Sequence, residues 1–128
     1  LTEIFFREDL AFLAYSPLGF GHLTGKYLKD PKSLGRANLF PGYAKRYDKP
    51  GVNRAIKSYL NLAEDLNLSL TELALSFVYS QWFVKSTIIG ATTMEQLKQN
   101  ISAYKTKLPE DIINQIDQIH LEVMNPAP

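Results

Sequence analysis

The chain has 128 residues, with 14 basic and 13 acidic side chains, a formal net charge of +1, 45% hydrophobic residues and no cysteine. That balance gives no electrostatic reason to bind nucleic acid or an anionic membrane, and it leaves no disulfide and no thiolate metal site. No apolar run approaches the ~18 residues of a membrane span and no charged segment followed by an apolar stretch suggests a secretory signal, so the expected location is cytoplasmic.

The length suits one modest domain with a real core. The segment from Leu1 to Leu10 reads like a helix already under way, with Thr2 able to cap a short turn through Arg7. Leu10 to Tyr15 is almost wholly apolar, the pattern of a strand covered on both faces, and Pro17 should stop it at Ser16. Gly19, Gly21 and Gly25 follow and allow tight turns or close approach to a ligand, with a single helical turn expected from His22 to Tyr27. Residues 28–52 hold repeated prolines and glycines with four lysines and two arginines, and read as a long loop. Arg36 within it could reach an anion only if the loop folds back over the site.

Ile56, Tyr59, Leu60, Ala63 and Leu66 recur at helical spacing, which predicts a helix over 52–66 that stops at Asn67. Ser69-Leu-Thr-Glu72 matches a capping box and opens a helix to about Gln81 that buries Leu73, Ala74, Phe77 and Val78. Trp82 and Phe83 are expected in the core. Lys85–Ile89 is a second short, β-branched strand, ended by Gly90. Thr93-Met-Glu-Gln96 is another capping box, whose helix to about Ser102 should bury Met94, Leu97 and Ile101. Pro109 suits the first turn of a last helix lined by Ile112, Ile113, Ile116, Ile119 and Val123, and Asn125–Pro128 is a tail. Strands alternating with helices are βα units of an α/β fold, but two strands are too few for a self-standing sheet. Together with the start at Leu1, this leads to the expectation that the chain is a piece of something longer.

Little chemistry stands out from spacing alone. His22 and His120 are far apart and no acidic cluster has metal-ligand spacing, so both histidines are expected to be surface or satisfied polar residues. Ser16 precedes a proline and does not sit in a nucleophile elbow. Gly21-His-Leu-Thr-Gly-Lys26 lacks the P-loop spacing, and no dinucleotide fingerprint is present. What remains is anion binding by the free amides of the helix that opens near Thr93.

Two motifs carry a resemblance. Ala14-Tyr-Ser-Pro-Leu-Gly-Phe-Gly-His-Leu-Thr-Gly-Lys-Tyr27 and Ile88-Ile-Gly-Ala-Thr-Thr-Met-Glu-Gln-Leu-Lys-Gln-Asn100 resemble the last two βα units of the aldo-keto reductases. The nearer likeness is to the bacterial Tas-like branch, with the potassium-channel β subunits as more distant relatives. The resemblance implies the C-terminal part of a (β/α)8 TIM barrel, helix-rich with two short parallel strands that would be strands seven and eight, forming one partial domain over 1–128. It implies an NADPH-dependent oxidoreductase of carbonyls and alcohols. Tyr15 would stack on the nicotinamide, Ser16, Pro17, Leu18 and Gly19 would line the pyrophosphate, and Lys26 and Arg36 would reach phosphates, the arginine fork suiting an adenosine 2′-phosphate. Gly90 and Thr92 would give backbone and hydroxyl contacts, and Gln96, Gln99 and Asn100 would hold the adenosine; Gln99 stands where the family commonly has glutamate. No motif of the family's catalytic Asp-Tyr-Lys-His tetrad is present, and such a barrel needs ~250 residues. The expectations are an inactive chain that holds NADP(H) weakly or not at all, and that associates with itself or with a missing N-terminal half. The alternative is a remnant or regulatory module that self-associates without catalysis. Metal, nucleic acid and membrane partners are not expected.

Overall fold

The computed structural model describes residues 2–127, the side chain of Pro41 excepted; Leu1 and Pro128, which the sequence assigns to the opening segment and the tail, lie outside the described residues. In chain order the elements are α1 (Thr2–Arg7), β1 (Phe12–Tyr15), a 3-10 segment (Gly19–Thr24), α2 (Lys26–Lys29), α3 (Arg36–Leu39), α4 (Pro41–Ala44), a 3-10 turn (Lys45–Tyr47) and α5 (Pro50–Asp65). They continue with α6 (Leu70–Ser80), β2 (Val84–Ile88), α7 (Met94–Ser102), a 3-10 turn (Ala103–Lys105) and α8 (Glu110–Glu122).

The core sits among α5, α6 and α8, because each of these long helices repeats apolar residues at helical spacing. Leu62 and Ala63 of α5, Leu73 of α6 and Ile112 and Ile116 of α8 form one buried cluster, with Tyr59, Leu66, Phe77, Leu108 and Ile119 packed around it. Val52, Ile56 and Leu70 form a second, covered by Leu23, Leu28, Tyr47 and Leu60. Helix α6 is buried on more than one face: Thr71, Leu75 and Ser76 join Leu70 and Leu73, and the Ser76 hydroxyl donates to the Ala103 carbonyl at 2.9 Å. A stop and a start follow local rules. Asn67 takes a left-handed φ of 54° after α5, and the Ser69 hydroxyl accepts from the Glu72 amide at 3.1 Å to open α6.

The two strands pair in parallel, Leu13 with Ser86, Ala14 with Thr87 and Tyr15 with Ile88, with one register irregularity between Phe12 and Leu13. A parallel pair separated by helices is the βα order expected from the sequence. The strands are not covered on both faces, however. Phe12 and Ala14 are half-buried, whereas Leu13, Tyr15 and Ile88 are 54%, 73% and 57% exposed. Helices pack one side of the sheet and nothing in the described chain packs the other.

Other expectations are corrected. Residues 28–52 are not one loop: they wind into α2, α3, α4 and a 3-10 turn before α5 begins at Pro50. Trp82 is exposed and meets Phe6 and Phe83 edge-on, with ring centroids 6.0 and 5.6 Å away. Met94 and Ile101 of α7 are exposed as well, and the buried residue of that helix is Asn100. Each capping box is half as drawn. Glu72 accepts from the Thr106 hydroxyl, and Gln96 reaches back to Thr92, one residue before the cap.

Candidate functional site

The register carries the site. Because Tyr15 pairs with Ile88, Ser16 and Ile89 leave the same edge of the sheet side by side, and each opens a glycine-containing turn. The two halves expected from the sequence are therefore brought together at the C-terminal ends of β1 and β2.

The first half is a strained turn. Ser16 has φ 53° and Phe20 φ 60°, left-handed values that cost a residue with a side chain roughly 1–2 kcal/mol. The Gly19 amide donates to the Ser16 carbonyl at 2.9 Å, and the amides of Gly21 and Leu23 both donate to the Leu18 carbonyl, so Pro17 and Leu18 sit at the tip of a closed turn. Gly25 ends the 3-10 segment at φ 76° and is buried against Leu70 and Leu60. The segment that reads as a loop then folds back. Lys26 donates from Nζ to the Leu34 carbonyl at 3.2 Å, and the Tyr27 hydroxyl accepts from the Ala37 amide at 3.2 Å. A Cβ on Gly35 would collide with Lys26 Nζ and the Tyr27 hydroxyl, so glycine is needed there for close approach rather than for its φ. Arg36 lies with Cζ 5.4 Å from the centre of the Phe20 ring, its side chain exposed. A cleft of about 450 Å³ opens beside the end of β1, lined by Tyr15, Ser16, Phe20, Tyr43, Arg46 and Tyr47.

The second half is shaped from within. Asn100, 2% exposed, donates from Nδ2 to the Gly90 carbonyl at 3.1 Å, and its own carbonyl accepts from the Tyr79 hydroxyl at 3.1 Å. Burial pushes the pKa of the Tyr79 phenol above its ordinary value. Gln96 Oε1 accepts from both the amide and the hydroxyl of Thr92, at 2.8 and 3.1 Å. Thr93 caps α7, its hydroxyl accepting from the Gln96 amide at 3.2 Å. Gln99 donates from Nε2 to the Ser69 hydroxyl at 3.0 Å and ties α7 to the start of α6. Gly90 has open space where a side chain would project.

The residues singled out from the sequence thus fall into two groups. Tyr15, Ser16, Pro17, Leu18, Gly19, Lys26 and Arg36 gather on the first turn, and Gly90 and Thr92 stand on the second. Gln96 and Gln99 are exposed but bond within the chain, Gln96 to Thr92 and Gln99 to Ser69, whereas Asn100 holds the Gly90 carbonyl and is too deeply buried to be an open contact. The cleft also draws on Phe20, Tyr43, Arg46 and Tyr47, which motif reading passed over; the density of aromatic residues between Phe20 and Tyr47 was the available signal. His22 is a further correction. It is neither a surface nor a satisfied residue, since its Nε2 is buried with no hydrogen-bond partner among the described residues.

An exposed tyrosine at a strand end, a closed glycine-rich turn with a lysine and an arginine beside it, and a capped helix start across the sheet edge can together hold an extended, phosphate-bearing ligand. Among the described residues no three His, Asp or Glu side chains group as a metal site, and no helix is long and apolar enough to cross a membrane.

The sequence is similar to known proteins over nearly its whole length. The chain is 41% identical over its whole length to Protein tas of Escherichia coli, 37% of which it covers. It is 40% identical over 125 residues, 94% of the chain, to an aldo-keto reductase of Babesia bovis, covering 44% of that protein. It is 30% identical over 134 aligned positions, 93% of the chain, to a Schizosaccharomyces pombe protein whose name places it with the β subunits of voltage-gated potassium channels, covering 39% of it. The chain thus spans about two-fifths of the length of these curated relatives. The family described as "Aldo/keto reductase family" matches residues 1–121, nearly the whole chain, and its (β/α)8 barrel accommodates the parallel βα arrangement. The chain belongs to the aldo/keto reductase family, oxidoreductases that generally use NAD(P)H.

Proposed function

We propose that the chain is the C-terminal cofactor-binding portion of an NADPH-dependent aldo-keto reductase, contributing strands seven and eight of the barrel and none of the catalytic tetrad. The observation that carries this reading is the Tyr15–Ile88 register, which sets the Ser16–Gly19 turn and the Gly90–Thr92 turn at one sheet edge. Tyr15, exposed at the end of β1, offers a ring face for a nicotinamide to stack on. The Leu18 amide at the tip of the first turn and Lys26 Nζ would meet the pyrophosphate. Arg36 would receive the 2′-phosphate, where a planar fork of donors is better matched than an ammonium. The free space at Gly90 suits close approach of a ligand to the backbone, and Gln96 and Asn100 keep that turn in shape while Gln99 ties α7 to the start of α6. When bound, the reduced nicotinamide supplies hydride to an aldehyde or ketone. The proton for the carbonyl oxygen would come from a tyrosine outside this chain.

Calorimetric titration with NADPH and NADH tests the reading. NADPH should bind weakly but more tightly than NADH; equal affinities, or no heat with millimolar NADPH, would contradict it. The pure chain should show no NADPH-dependent turnover of aldehydes, and measurable turnover would overturn the assignment of the catalytic groups to another segment.

A second reading is supported by the uncovered sheet face. Leu13, Tyr15 and Ile88 are exposed on one side of a sheet with two open edges, a surface that favours association. In this reading the chain is a non-catalytic module whose bare face is covered by a second copy or by an N-terminal half.

A further inference from the structure

The glycine-rich turn holds a half-buried titratable ring that the proposed cofactor binding does not use. His22 stacks on Tyr47, with centroids 4.6 Å apart and planes at 24°, and leans on Tyr27 with centroids 4.9 Å apart. Its Nε2 is buried and has no partner among the described residues. Tyr47 also stacks on Phe20, centroids 6.3 Å apart, and its Cε1 lies 3.6 Å from where a Cβ on Gly19 would be. Tyr47 therefore joins the segment Arg36–Asp48 to the turn, and it walls the cleft at Tyr15 and Ser16. Arg36 over Phe20, the Tyr27 hydroxyl on the Ala37 amide and the contact of Tyr47 with the Val52–Ile56–Leu70 cluster tie the same segment.

From these contacts we infer that His22 is a proton-sensitive pin: neutral, it holds Tyr47 and the segment Arg36–Asp48 against the glycine-rich turn, and protonated, it lets that segment swing away from the Tyr15 cleft. A proton on Nε2 would place a charge where no acceptor faces it, and burying an unpaired charge is costly. The titratable and charged groups that bear on the ring are Tyr27 from α2 and Tyr47 from the folded-back segment, whose rings touch it, and Lys26 and Asp48, whose charges act on it. Burial lowers the pKa of His22 below its ordinary 6.5, Asp48 opposes that and Lys26 adds to it. The packed form therefore binds the proton less readily than the released form. Its stability is fully present above pH 6.5 and declines as pH falls from there towards the lowered value.

The consequence for ligand access rests on the proposed cofactor site, but the pin does not, so its test uses the chain without nucleotide. Amide hydrogen exchange of the full chain, corrected for intrinsic rates, is compared at about pH 7.5 and about pH 5.5. The reporters are the amides of Phe40, Tyr43 and Asp48, which donate within the segment. Their protection should fall severalfold at the lower pH, by at most about tenfold for one unit below the ordinary histidine value, while amides of α8 stay unchanged. His22→Phe keeps an aromatic ring against Tyr47 without a titrating nitrogen and should abolish the pH dependence. Unchanged protection in the wild type, or the same loss in His22→Phe, would overturn the inference. Should His22→Phe fail to fold, the imidazole titration of the wild type followed by NMR decides. A midpoint below 6.5 supports the pin, and one at or above 6.5 overturns it.

Discussion

Asn100 shows how far the shape of a turn can depend on one side-chain amide. Its side chain holds the Gly90 carbonyl from inside the fold and is almost fully buried, so Asn100→Ala leaves that acceptor without its donor. The expected cost is about 1–3 kcal/mol in urea unfolding, with weaker nucleotide binding through the misplaced turn. Arg36 is the opposite case: exposed and unencumbered except by the Phe20 ring, it should matter to ligand and little to stability. Arg36→Ala is expected to lower NADPH affinity by roughly 10- to 100-fold, the worth of a charged hydrogen bond, and to leave NADH affinity and the unfolding midpoint nearly unchanged. Ser16 holds a left-handed φ where glycine would sit without strain. Ser16→Gly should therefore be neutral or stabilising by up to about 1 kcal/mol in the same unfolding assay, despite the usual penalty of added glycine. Clear destabilisation would show that the hydroxyl supports the turn.

Among the elements, α6 and α7 are coupled through a cap. The Ser69 hydroxyl accepts from both the Glu72 amide and Gln99, so Ser69→Ala removes a helix cap and a tie to α7 together. A loss of about 1 kcal/mol is expected, with faster amide exchange in α7 as well as in the first turn of α6. Both caps were legible in the sequence because a hydroxyl followed by Glu or Gln three residues on is a local signal. The reciprocal bonds were not, since Thr106 and Thr92 compete for those side chains from outside the motif. The short helices from Lys26 to Tyr47 were hidden by their prolines and glycines. What holds them is contact between residues distant in sequence, such as Tyr47 on His22 and Tyr27 with Ala37, which no periodicity records. Met94, Ile101 and Trp82 were misplaced for a related reason: an apolar residue at helical spacing marks a face to be covered, and this chain does not supply the cover.

For the molecule as a whole, the strand order, the parallel pairing and the family were readable from two motifs, whereas the exposed sheet face was not. An apolar strand reads as buried whether or not its partner belongs to the same chain. Leu13, with 54% of its surface exposed on a parallel strand, is the position most suited to test that face without touching the turns proposed to hold the cofactor. The chain is expected to sediment as a dimer or larger species, and Leu13→Glu should shift it towards monomer; a monodisperse wild-type monomer would refute self-association. The central claim is that two strand ends form one nucleotide cradle. Trp82 emission is a poor reporter of it, because Trp82 precedes β2 at the end of the sheet opposite Gly90. Amide chemical shifts report each turn separately, so the direct measurement is an NMR titration of the labelled chain with NADPH. The account expects shifts that grow together at Ser16–Lys26, Arg36 and Gly90–Gln96 with a single dissociation constant weaker than micromolar. Shifts confined to one turn, shifts centred on Leu13 away from both turns, or none with millimolar nucleotide would contradict it.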